Sequence, residues 1–398
     1  MAILAEHSPK RWFQAQQEKV SDLPKVATRI VYLVKRVLSA SSLLSSSMPH
    51  WIFGREEILV DTQAFTIMEM LQGISIARSI YTTAKLGIAD LLRDGPKSSK
   101  ELAEATQAHE LLLYRLLRAL ASFDIFAEVE EGTFAHTPLS TKLRTDVPDS
   151  MHHFVLLFGD TWFWRTWEEL DYSVQTGKKA FDHCHGTSVF EYLAEHPEDG
   201  KTFDRGLTSL SQLSNKAIAT SYDFSSFSTL ADIGGGHGSL LMTLLQSYPT
   251  LKGILFDRPP VIEGARQHIE QSLKQRCELV AGNFFEAVPT GADAYLIKYC
   301  IHNWDDEHAI KILKTCRQAM KPMSKMLIVD GVIAPNTMNG TFNSFNKYFD
   351  LLMLVIPSGK ERTASQFAEL YEASGFKLER IIETGSPVSI IEGIPVEA

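Results

Sequence analysis

The chain has 398 residues, which exceeds one average domain of roughly 100–200 residues and predicts two or three units. Its formal net charge is −9, with 44% hydrophobic and 22% charged residues, as expected of a globular protein. An acidic chain without a long basic run is a poor candidate for binding nucleic acid or an anionic membrane. No apolar run reaches the roughly 18–20 residues that a membrane helix needs.

The first 60 residues predict a helical arm that packs on the body of the protein or on a partner subunit. Residues 24–44 place apolar side chains at helical spacing, and Pro49 and Gly54 break the pattern. A serine-rich stretch at 39–47 and an excess of Lys and Arg are also typical of a transit peptide, but acidic residues in the arm count against one.

Residues 61–150 predict helices followed by a small hairpin. A helix at 100–106 with Ser98 or Ser99 as its cap precedes a second helix at 110–122, and two short strands follow at 125–129 and 133–136. Two short helices and a hairpin are typical of a winged helix.

A winged helix often binds DNA, so residues 97–144 could form either a DNA-binding domain or a dimerisation domain. The segment holds six Lys or Arg and seven Asp or Glu, whereas a helix that enters a DNA groove normally lies in a positive field. This balance favours a dimerisation domain that forms a homodimer over a DNA-binding regulator.

Residues 151–225 are mostly helical in pattern and rich in aromatic side chains. Core packing accounts for most of these rings, but some of them are candidates for the wall of a pocket for a flat molecule. The candidates in this segment are Phe158, Trp162 and Trp164.

From residue 228 onward, short apolar runs alternate with helical patterns, which predicts a mostly parallel sheet covered by helices on both faces. Helices are predicted at 240–247, 261–272 and 307–320, and runs at 376–382 and 387–391 predict an antiparallel closing hairpin. The fold class is therefore α/β, Rossmann-like, preceded by the winged-helix domain and the arm. The predicted strands are 230–233, 253–256, 277–280, 294–298 and 326–329.

The stretch LADIGGGHGS at 230–239 predicts a strand that runs into a glycine loop and then a helix. Asp232 precedes Gly234, Gly235 and Gly236, and such a loop lets a ligand approach the backbone at a helix N-terminus. The dinucleotide fingerprint G-x-G-x-x-G requires glycine at 239, where this chain has serine, so the loop favours another adenosine-type cofactor.

Three further groups follow predicted strand ends, where open α/β sheets bind ligands. Asp257, followed by Arg258, stands about 20 residues after the loop, where a carboxylate can accept both ribose hydroxyls. Asn283 and Phe284 suit a purine, because an amide can hydrogen-bond to it and a ring can stack on it. His302 follows the fourth strand, and its ordinary pKa of ~6.5 suits a general base.

With these motifs in order, the chain resembles the class I S-adenosylmethionine-dependent O-methyltransferases of the caffeate/acetylserotonin type. The resemblance runs from about residue 62 to 395 and implies a winged-helix dimerisation domain at 61–150 and a catalytic domain at 151–398 that binds S-adenosylmethionine. The motifs that carry it, beside the glycine loop, are FDRPPV at 256–261, GNFF at 282–285, KYCIHNWDDE at 298–307, VDGVIAP at 329–335, FDLLML at 349–354 and GKERTASQFAELYEASGF at 359–376.

The resemblance also implies roles. The glycine loop holds the methionine part of the cofactor, Asp257 the ribose, and Asn283 and Phe284 flank the adenine with Lys298 nearby. His302 is the base, and Asp330 and Glu361 orient it. The family usually has Asp at position 283 and Glu at 330, so adenine geometry and the contact of the shorter Asp330 with His302 are open to test. The acceptor pocket is expected to include Asn303, Tyr348 and Met353.

The expected reaction is methyl transfer to a hydroxyl, phenolic by expectation, of a small aromatic metabolite. Two alternatives stay open: the same fold used for non-methylating chemistry with a retained cofactor, and the DNA-binding regulator. Four scattered cysteines without a C-x-x-C pair predict a reducing compartment, the cytoplasm. His183, Cys184 and His185 are consecutive and rarely could point at one ion, so no metal is expected.

Overall fold

The computed structural model describes residues 62–396 except 268, 270, 335–341 and 358. The predicted arm at 1–60 therefore lies outside the described residues. Contacts within the chain divide it into two units, Met1–Thr66 and Ile67–Ala398. None of the described helices is both long enough and apolar enough to cross a membrane.

The N-terminal part of the described chain has the predicted order of helices and hairpin. Strands β1 and β2 pair with β3 in an antiparallel sheet. Ser98 caps α3, since its Oγ accepts from the backbone N–H of Glu101 and the carboxylate of Glu101 accepts from the backbone N–H of Ser98. The elements are α1 Thr62–Lys85, α2 Ile88–Leu91, β1 Lys97–Ser98, α3 Ser99–Thr106, α4 Glu110–Ala121, β2 Phe126–Glu130, β3 Thr133–His136 and α5 Pro138–Thr141.

A helical segment follows and packs its aromatic side chains into a core of its own. Leu157, Phe163 and Phe181 are buried there together with Phe349 and Met353 from a later helix. The helices are α6 His152–Gly159, α7 Thr161–Glu168, α8 Leu170–Thr176, α9 Ala180–His185, α10 Val189–Glu195 and α11 Pro197–Ser221.

The C-terminal part is built on a seven-stranded sheet with the order β11-β12-β8-β7-β4-β5-β6. Strands β4 to β8 run parallel, whereas β11 and β12 form the antiparallel closing hairpin. The strands of this sheet are β4 Thr229–Ile233, β5 Lys252–Asp257, β6 Cys277–Ala281, β7 Ala294–Lys298, β8 Lys325–Asp330, β11 Phe376–Glu383 and β12 Ser389–Pro395. Two further short strands, β9 Val332–Ile333 and β10 Arg362–Thr363, pair with each other in a separate parallel sheet.

Helices cover both faces of this sheet, and each face has its own apolar core. This arrangement confirms the predicted α/β class with a mostly parallel sheet. The carboxyl ends of β4 to β8 meet at one edge, which brings the loops after residues 233, 257, 281, 298 and 330 together. The helices are α12 Ser239–Ser247, α13 Pro259–Ala265, α14 Asp306–Ala319, α15 Asn343–Val355 and α16 Ala364–Ala373.

One helix differs clearly from its prediction. The apolar pattern placed it at 261–272, but α13 spans Pro259–Ala265. It begins two residues earlier because Pro259 and Pro260 occupy the first helical turn, where proline has no backbone N–H to lose and a suitable φ. Residues 266 and 267 already form a turn.

Candidate active site

The glycine loop after β4 is fixed by hydrogen bonds to the end of β5. The N–H of Gly234 donates to the carbonyl of Phe256 at 2.8 Å, and the N–H of Gly236 donates to Oδ2 of Asp257 at 2.9 Å. Gly234 has φ of 69°, which favours glycine. A side chain at Gly235 would lie 2.5 Å from Leu255 and 2.7 Å from Asp232, so no larger residue fits.

A cleft with a volume of about 250 Å³ lies beside this loop. The loop, Asp232, Ser211 and Lys298 line it, and so do His302 and Asn303. An apolar wall contributed by α6, α7 and α15 lines it as well. The apolar wall consists of Leu157, Phe158, Phe163, Phe349, Leu352 and Met353.

His302 lies in a 3₁₀ turn, Ile301–Asn303, just beyond β7. Its Nδ1 contacts Oε1 of Glu361 at 2.7 Å, while Oδ1 of Asp330 is 3.9 Å away from the same nitrogen. Oδ2 of Asp330 instead accepts from the backbone N–H of His302 at 3.3 Å. Glu361 therefore contacts the ring directly, and the shorter Asp330 holds its backbone.

The three side chains are almost completely buried, and burial governs their charges. Burial lowers the pKa of His302, but the carboxylates of Asp330 and Glu361 raise it by more, so its pKa is about 9. Burial also raises the pKa of Asp330, against the lowering effect of His302. Oδ1 of Asp330 and Oε2 of Glu361 have no hydrogen-bond partner among the described residues. The cluster therefore favours a proton on the imidazole.

Two rings flank the imidazole. The ring of Tyr299 lies 5.6 Å from it and the ring of Phe349 lies 5.9 Å from it, both stacked at 27°. Tyr299 has φ of 49°, an uncommon left-handed backbone conformation for a bulky residue. Nδ2 of Asn303 donates to the carbonyl of Tyr299 at 3.1 Å, so the strained residue is part of the turn that presents His302.

The segment 359–362 holds the turn 301–303 in place through hydrogen bonds. The N–H of Lys360 donates to the carbonyl of His302 at 2.9 Å. The fully buried guanidinium of Arg362 donates to the carbonyls of Ile301 at 3.2 Å and Trp304 at 2.8 Å, and it pairs with Asp306. Sequence reasoning included Arg362 only within the resemblance; the arginine directly after Glu361 was the available signal.

Lys298 lies at the cleft, but its contacts differ from those expected near an adenine. Its Nζ donates to the carbonyl of Ser211 at 2.8 Å, to Oγ of Ser211 at 2.9 Å and to Oδ1 of Asn215 at 2.6 Å. Nδ2 of Asn215 in turn donates to Oγ of Ser239 at the start of α12. Sequence reasoning missed Ser211 and Asn215, although their i, i+4 spacing places both on one face of α11.

Asp232 and Lys298 are the buried charges on the glycine-loop side. Burial raises the pKa of Asp232 to about 7, although Lys298 opposes that rise. Burial lowers the pKa of Lys298 to about 7, opposed by Asp232 and Asp330. The two groups moderate each other's charge across the cleft wall.

The other predicted cofactor residues lie at the same sheet edge but do not line the cleft. Oδ1 of Asn283 accepts from the N–H of Phe285, and its Nδ2 donates to Glu286, so the amide shapes its own turn. Phe284 packs against Phe285 and Trp304. The guanidinium of Arg258 lies 5.9 Å from the ring centre of Phe190. Their roles toward a cofactor stay predictions.

Of the predicted acceptor residues, Phe158, Asn303 and Met353 line the cleft. Trp162, Trp164 and Tyr348 are not among the lining residues. Trp162 is buried against the ring of Phe181, because its face of α7 points into the helical core. Trp164 lies over Arg78, and Tyr348 stacks on Trp167 at 5.7 Å. Helical spacing could not tell which of these faces meets the cleft.

No group of three or more potential metal ligands occurs among the described residues. Nε2 of His185 contacts the carbonyl of Trp162 at 3.2 Å, and His183 stacks on Tyr172. The two histidines therefore engage different neighbours.

The cleft can accommodate an adenosine-type sulfonium cofactor. No described residue lies within 4 Å of the place where a side chain would stand on Gly236, so a ligand can approach the loop backbone. Helix α12 begins directly after the loop, Asp232 precedes the loop in β4, and the carboxylate of Asp257 accepts from the N–H of Gly236 within it. Backbone donors beside carboxylates suit a ligand that carries both a carboxylate and cationic groups.

A family model described as the O-methyltransferase domain matches residues 167–377, and one described as the O-methyltransferase dimerisation domain matches residues 68–146. The chain belongs to the O-methyltransferase family. It is an S-adenosylmethionine-dependent O-methyltransferase, as the resemblance implied. The family of residues 68–146 also favours the dimerisation hypothesis for the winged helix over DNA binding.

Individual relatives of this O-methyltransferase are methyltransferases whose names specify transfer to oxygen or to nitrogen. It is 42% identical to a phenazine O-methyltransferase of Lysobacter antibioticus over 83% of this chain and 96% of the relative. It is 36% identical to the 8-amino-8-demethylriboflavin N,N-dimethyltransferase of Streptomyces davaonensis over 80% of this chain and 92% of the relative. A solved methyltransferase from calicheamicin biosynthesis, with S-adenosylhomocysteine bound, superimposes with a TM-score of 0.75 at 32% identity, covering 86% of this chain and all of the other.

Proposed function

We propose that this O-methyltransferase methylates a phenolic hydroxyl of a small aromatic metabolite, with His302 as the general base. The observation that carries the proposal is that His302 lines the same cleft as the glycine loop and the apolar wall, with its ring stacked on Phe349 of that wall. Glu361 occupies its Nδ1, which leaves Nε2 as the ring nitrogen available to an acceptor in the cleft.

The division of work among the residues follows from this placement. Bound S-adenosylmethionine supplies a methyl group that is already activated for transfer to a nucleophilic oxygen. The glycine loop, Asp232 and Asp257 are proposed to hold the donor, and the apolar wall is proposed to hold the acceptor ring. A phenol has a pKa near 10, judged by tyrosine, so Nε2 of His302 is proposed to take its proton as the oxygen attacks. Glu361 fixes the tautomer and stabilises the imidazolium.

Replacing His302 tests the proposal. His302→Ala is expected to lower kcat for a phenol such as 2-naphthol by at least about 100-fold, because general-base catalysis is typically worth 10²–10⁴-fold. The Kd for S-adenosylmethionine, measured by calorimetry, should change by less than about twofold, since His302 is not assigned to the donor. Turnover is followed as transfer of a labelled methyl group.

A matched control is His308→Ala, because His308 lies outside the cleft on α14 and is half exposed beside Asp305. It should retain wild-type turnover. Wild-type turnover in His302→Ala would exclude the general-base role. An acceptor product without the mass of an added methyl group would favour the non-methylating alternative.

An aromatic amine is a second candidate acceptor, favoured by the similarity to the N,N-dimethyltransferase. A neutral amine attacks through its lone pair and loses a proton afterwards, so it depends less on a base than a phenol does. With 2-naphthylamine in place of 2-naphthol, His302→Ala should then cost clearly less turnover. The cluster of His302 and two carboxylates favours the phenol.

A further inference from the structure

Three protein acceptors surround the buried ammonium group of Lys298. The residue is 9% exposed, and its Nζ lies 2.8 Å from the carbonyl oxygen of Ser211, 2.9 Å from Oγ of Ser211 and 2.6 Å from Oδ1 of Asn215. An ammonium has three N–H groups to donate, and burying its charge is costly unless acceptors take them. The three contacts therefore offset much of the cost of burying this charge.

The polar contacts continue from Lys298 to the helix that follows the glycine loop. Nδ2 of Asn215 donates to Oγ of Ser239 at 2.9 Å, and Ser239 is the first residue of α12, directly after Gly238. Lys298 ends β7, whereas Ser211 and Asn215 lie on α11. A chain of hydrogen bonds thus joins β7, α11 and α12. We call it the polar tie, and its members are Lys298, Ser211, Asn215 and Ser239.

Helix α11 lines a long stretch of the cleft. The glycine loop lines the same cleft, so the position of α11 relative to α12 sets the space beside the loop. A buried and satisfied network of hydrogen bonds rigidifies the elements that it joins. The polar tie is therefore placed to fix that space. The residues of α11 that line the cleft are Phe203, Asp204, Leu207, Thr208, Leu210 and Ser211.

Asn215 separates an effect of the tie from direct contact with a ligand. It is 4% exposed and is not among the described residues that line the cleft. An effect of Asn215 on ligand binding must therefore pass through its partners, Lys298 and Ser239, and through the elements that carry them.

We propose that Lys298 is a positioning residue for the methyl donor, which holds α11 and the start of α12 in position through the polar tie and does not contact the adenine. This role differs from the one near the adenine that the resemblance implied. The inference concerns the donor only, and it depends neither on the acceptor nor on His302 as the base.

Variants of the full chain test the tie through the Kd for S-adenosylhomocysteine, measured by calorimetry. Lys298→Met and Asn215→Leu are each expected to weaken binding by at least about 10-fold, because each removes a buried hydrogen bond that involves a charged group. Since both break the same tie, the double variant should bind no more than about threefold more weakly than the weaker single variant. Effects that multiply to about 100-fold in the double variant would overturn the inference.

A direct contact between Lys298 and the adenine predicts a different result. Asn215→Leu should then change the Kd by less than about threefold, as a substitution away from the ligand does, and this outcome would also overturn the inference. If Asn215→Leu does not fold, as judged by circular dichroism, Asn215→Ala takes its place with the same expectations.

Asn215→Asp is the conservative partner of Asn215→Leu. An aspartate keeps an acceptor for Lys298, and the hydroxyl of Ser239 can donate to it, so the Kd should stay within about threefold of wild type. Lys314→Met controls for the loss of a positive charge, because Lys314 is exposed on α14, and it should retain wild-type binding. Binding by Asn215→Asp as weak as that by Asn215→Leu would contradict the tie.

A fragment of the donor separates positioning from a general loosening of the fold. 5′-Methylthioadenosine keeps the adenine and the ribose but lacks the amino acid part, which the glycine loop is expected to hold. In Lys298→Met, its Kd should change by less than about threefold while that for S-adenosylhomocysteine rises by at least about 10-fold. Equal factors for the two ligands would indicate an adenine contact or a loosened fold and would exclude the positioning role. Because every readout is donor binding, failure to methylate a phenol leaves these results unchanged.

Discussion

The pKa of His302 has a direct consequence for catalysis. At about 9, it means that most imidazoles carry a proton at pH 7 and cannot act as a base. If His302 removes the proton of the acceptor, kcat should rise with pH between 7 and 9 and level off above. The rise should be tenfold per pH unit at its steepest, as for one titrating group.

The carboxylates beside His302 provide the control for this pH profile. Glu361→Gln removes a charge that raises the pKa of His302, so the rise in kcat should move to lower pH. Comparing the two profiles with one acceptor cancels the titration of the acceptor itself. Identical profiles would show that another group limits the rate.

Individual residues show the limit of the sequence. It identified Asp330 and Glu361 as the acids beside His302, but it did not predict which of them contacts the ring. His302 and Asp330 are 28 residues apart, and His302 and Glu361 are 59 apart, so no local pattern joins them. Their roles came from the resemblance alone. Which carboxylate contacts the ring depends on one methylene of side chain and on the turn 301–303, and neither is visible in a motif.

Among the elements, the segment 359–362 and the turn 301–303 behave as one unit through Arg362. Arg362→Lys removes donors from the buried carbonyl of Ile301 and the partly buried carbonyl of Trp304, so it should lower the free energy of unfolding by about 2 kcal/mol, measured by urea denaturation. Arg266→Lys is the matched control, because that side chain is 57% exposed beside Glu263 and should change stability by less than about 0.5 kcal/mol. Equal effects of the two substitutions would contradict this role of Arg362.

The central strands were predicted well because most of their residues are apolar. The runs that became β4 to β8 are apolar because helices cover both faces of a parallel sheet, and their bounds agree with the structure within one residue at each end. Faces of short helices were harder to predict. Trp162 and Phe163 are neighbours in α7, yet only Phe163 reaches the cleft.

At the scale of the whole molecule, α1 exposes an apolar surface that a second copy of the chain would cover. Ile67, Met68, Met70 and Leu71 are each more than half exposed, and the segment belongs to the family's dimerisation domain. We expect a homodimer through this surface, since exposed apolar clusters mark interfaces.

Charge placed on that surface should prevent the dimer. The double substitution Met70→Glu and Leu71→Glu is expected to yield monomers in analytical ultracentrifugation at micromolar concentration. Val174→Glu is the control, because Val174 is 69% exposed on α8 outside the dimerisation domain and should leave the dimer intact. Dimers that persist in the double variant would place the interface elsewhere.

Near its C-terminal end, α1 contacts the segment that contributes part of the apolar wall. Arg78 donates to the carbonyl of Gly159, and a methyl group added at Gly159 would collide with the ring of Tyr81. Gly159 directly follows Phe158 of the apolar wall. If the apolar wall holds the acceptor as proposed, substitutions at Leu157, Phe158 or Phe163 should change acceptor specificity directly. A substitution at Gly159 should also require α1, the helix proposed to join the subunits, to repack.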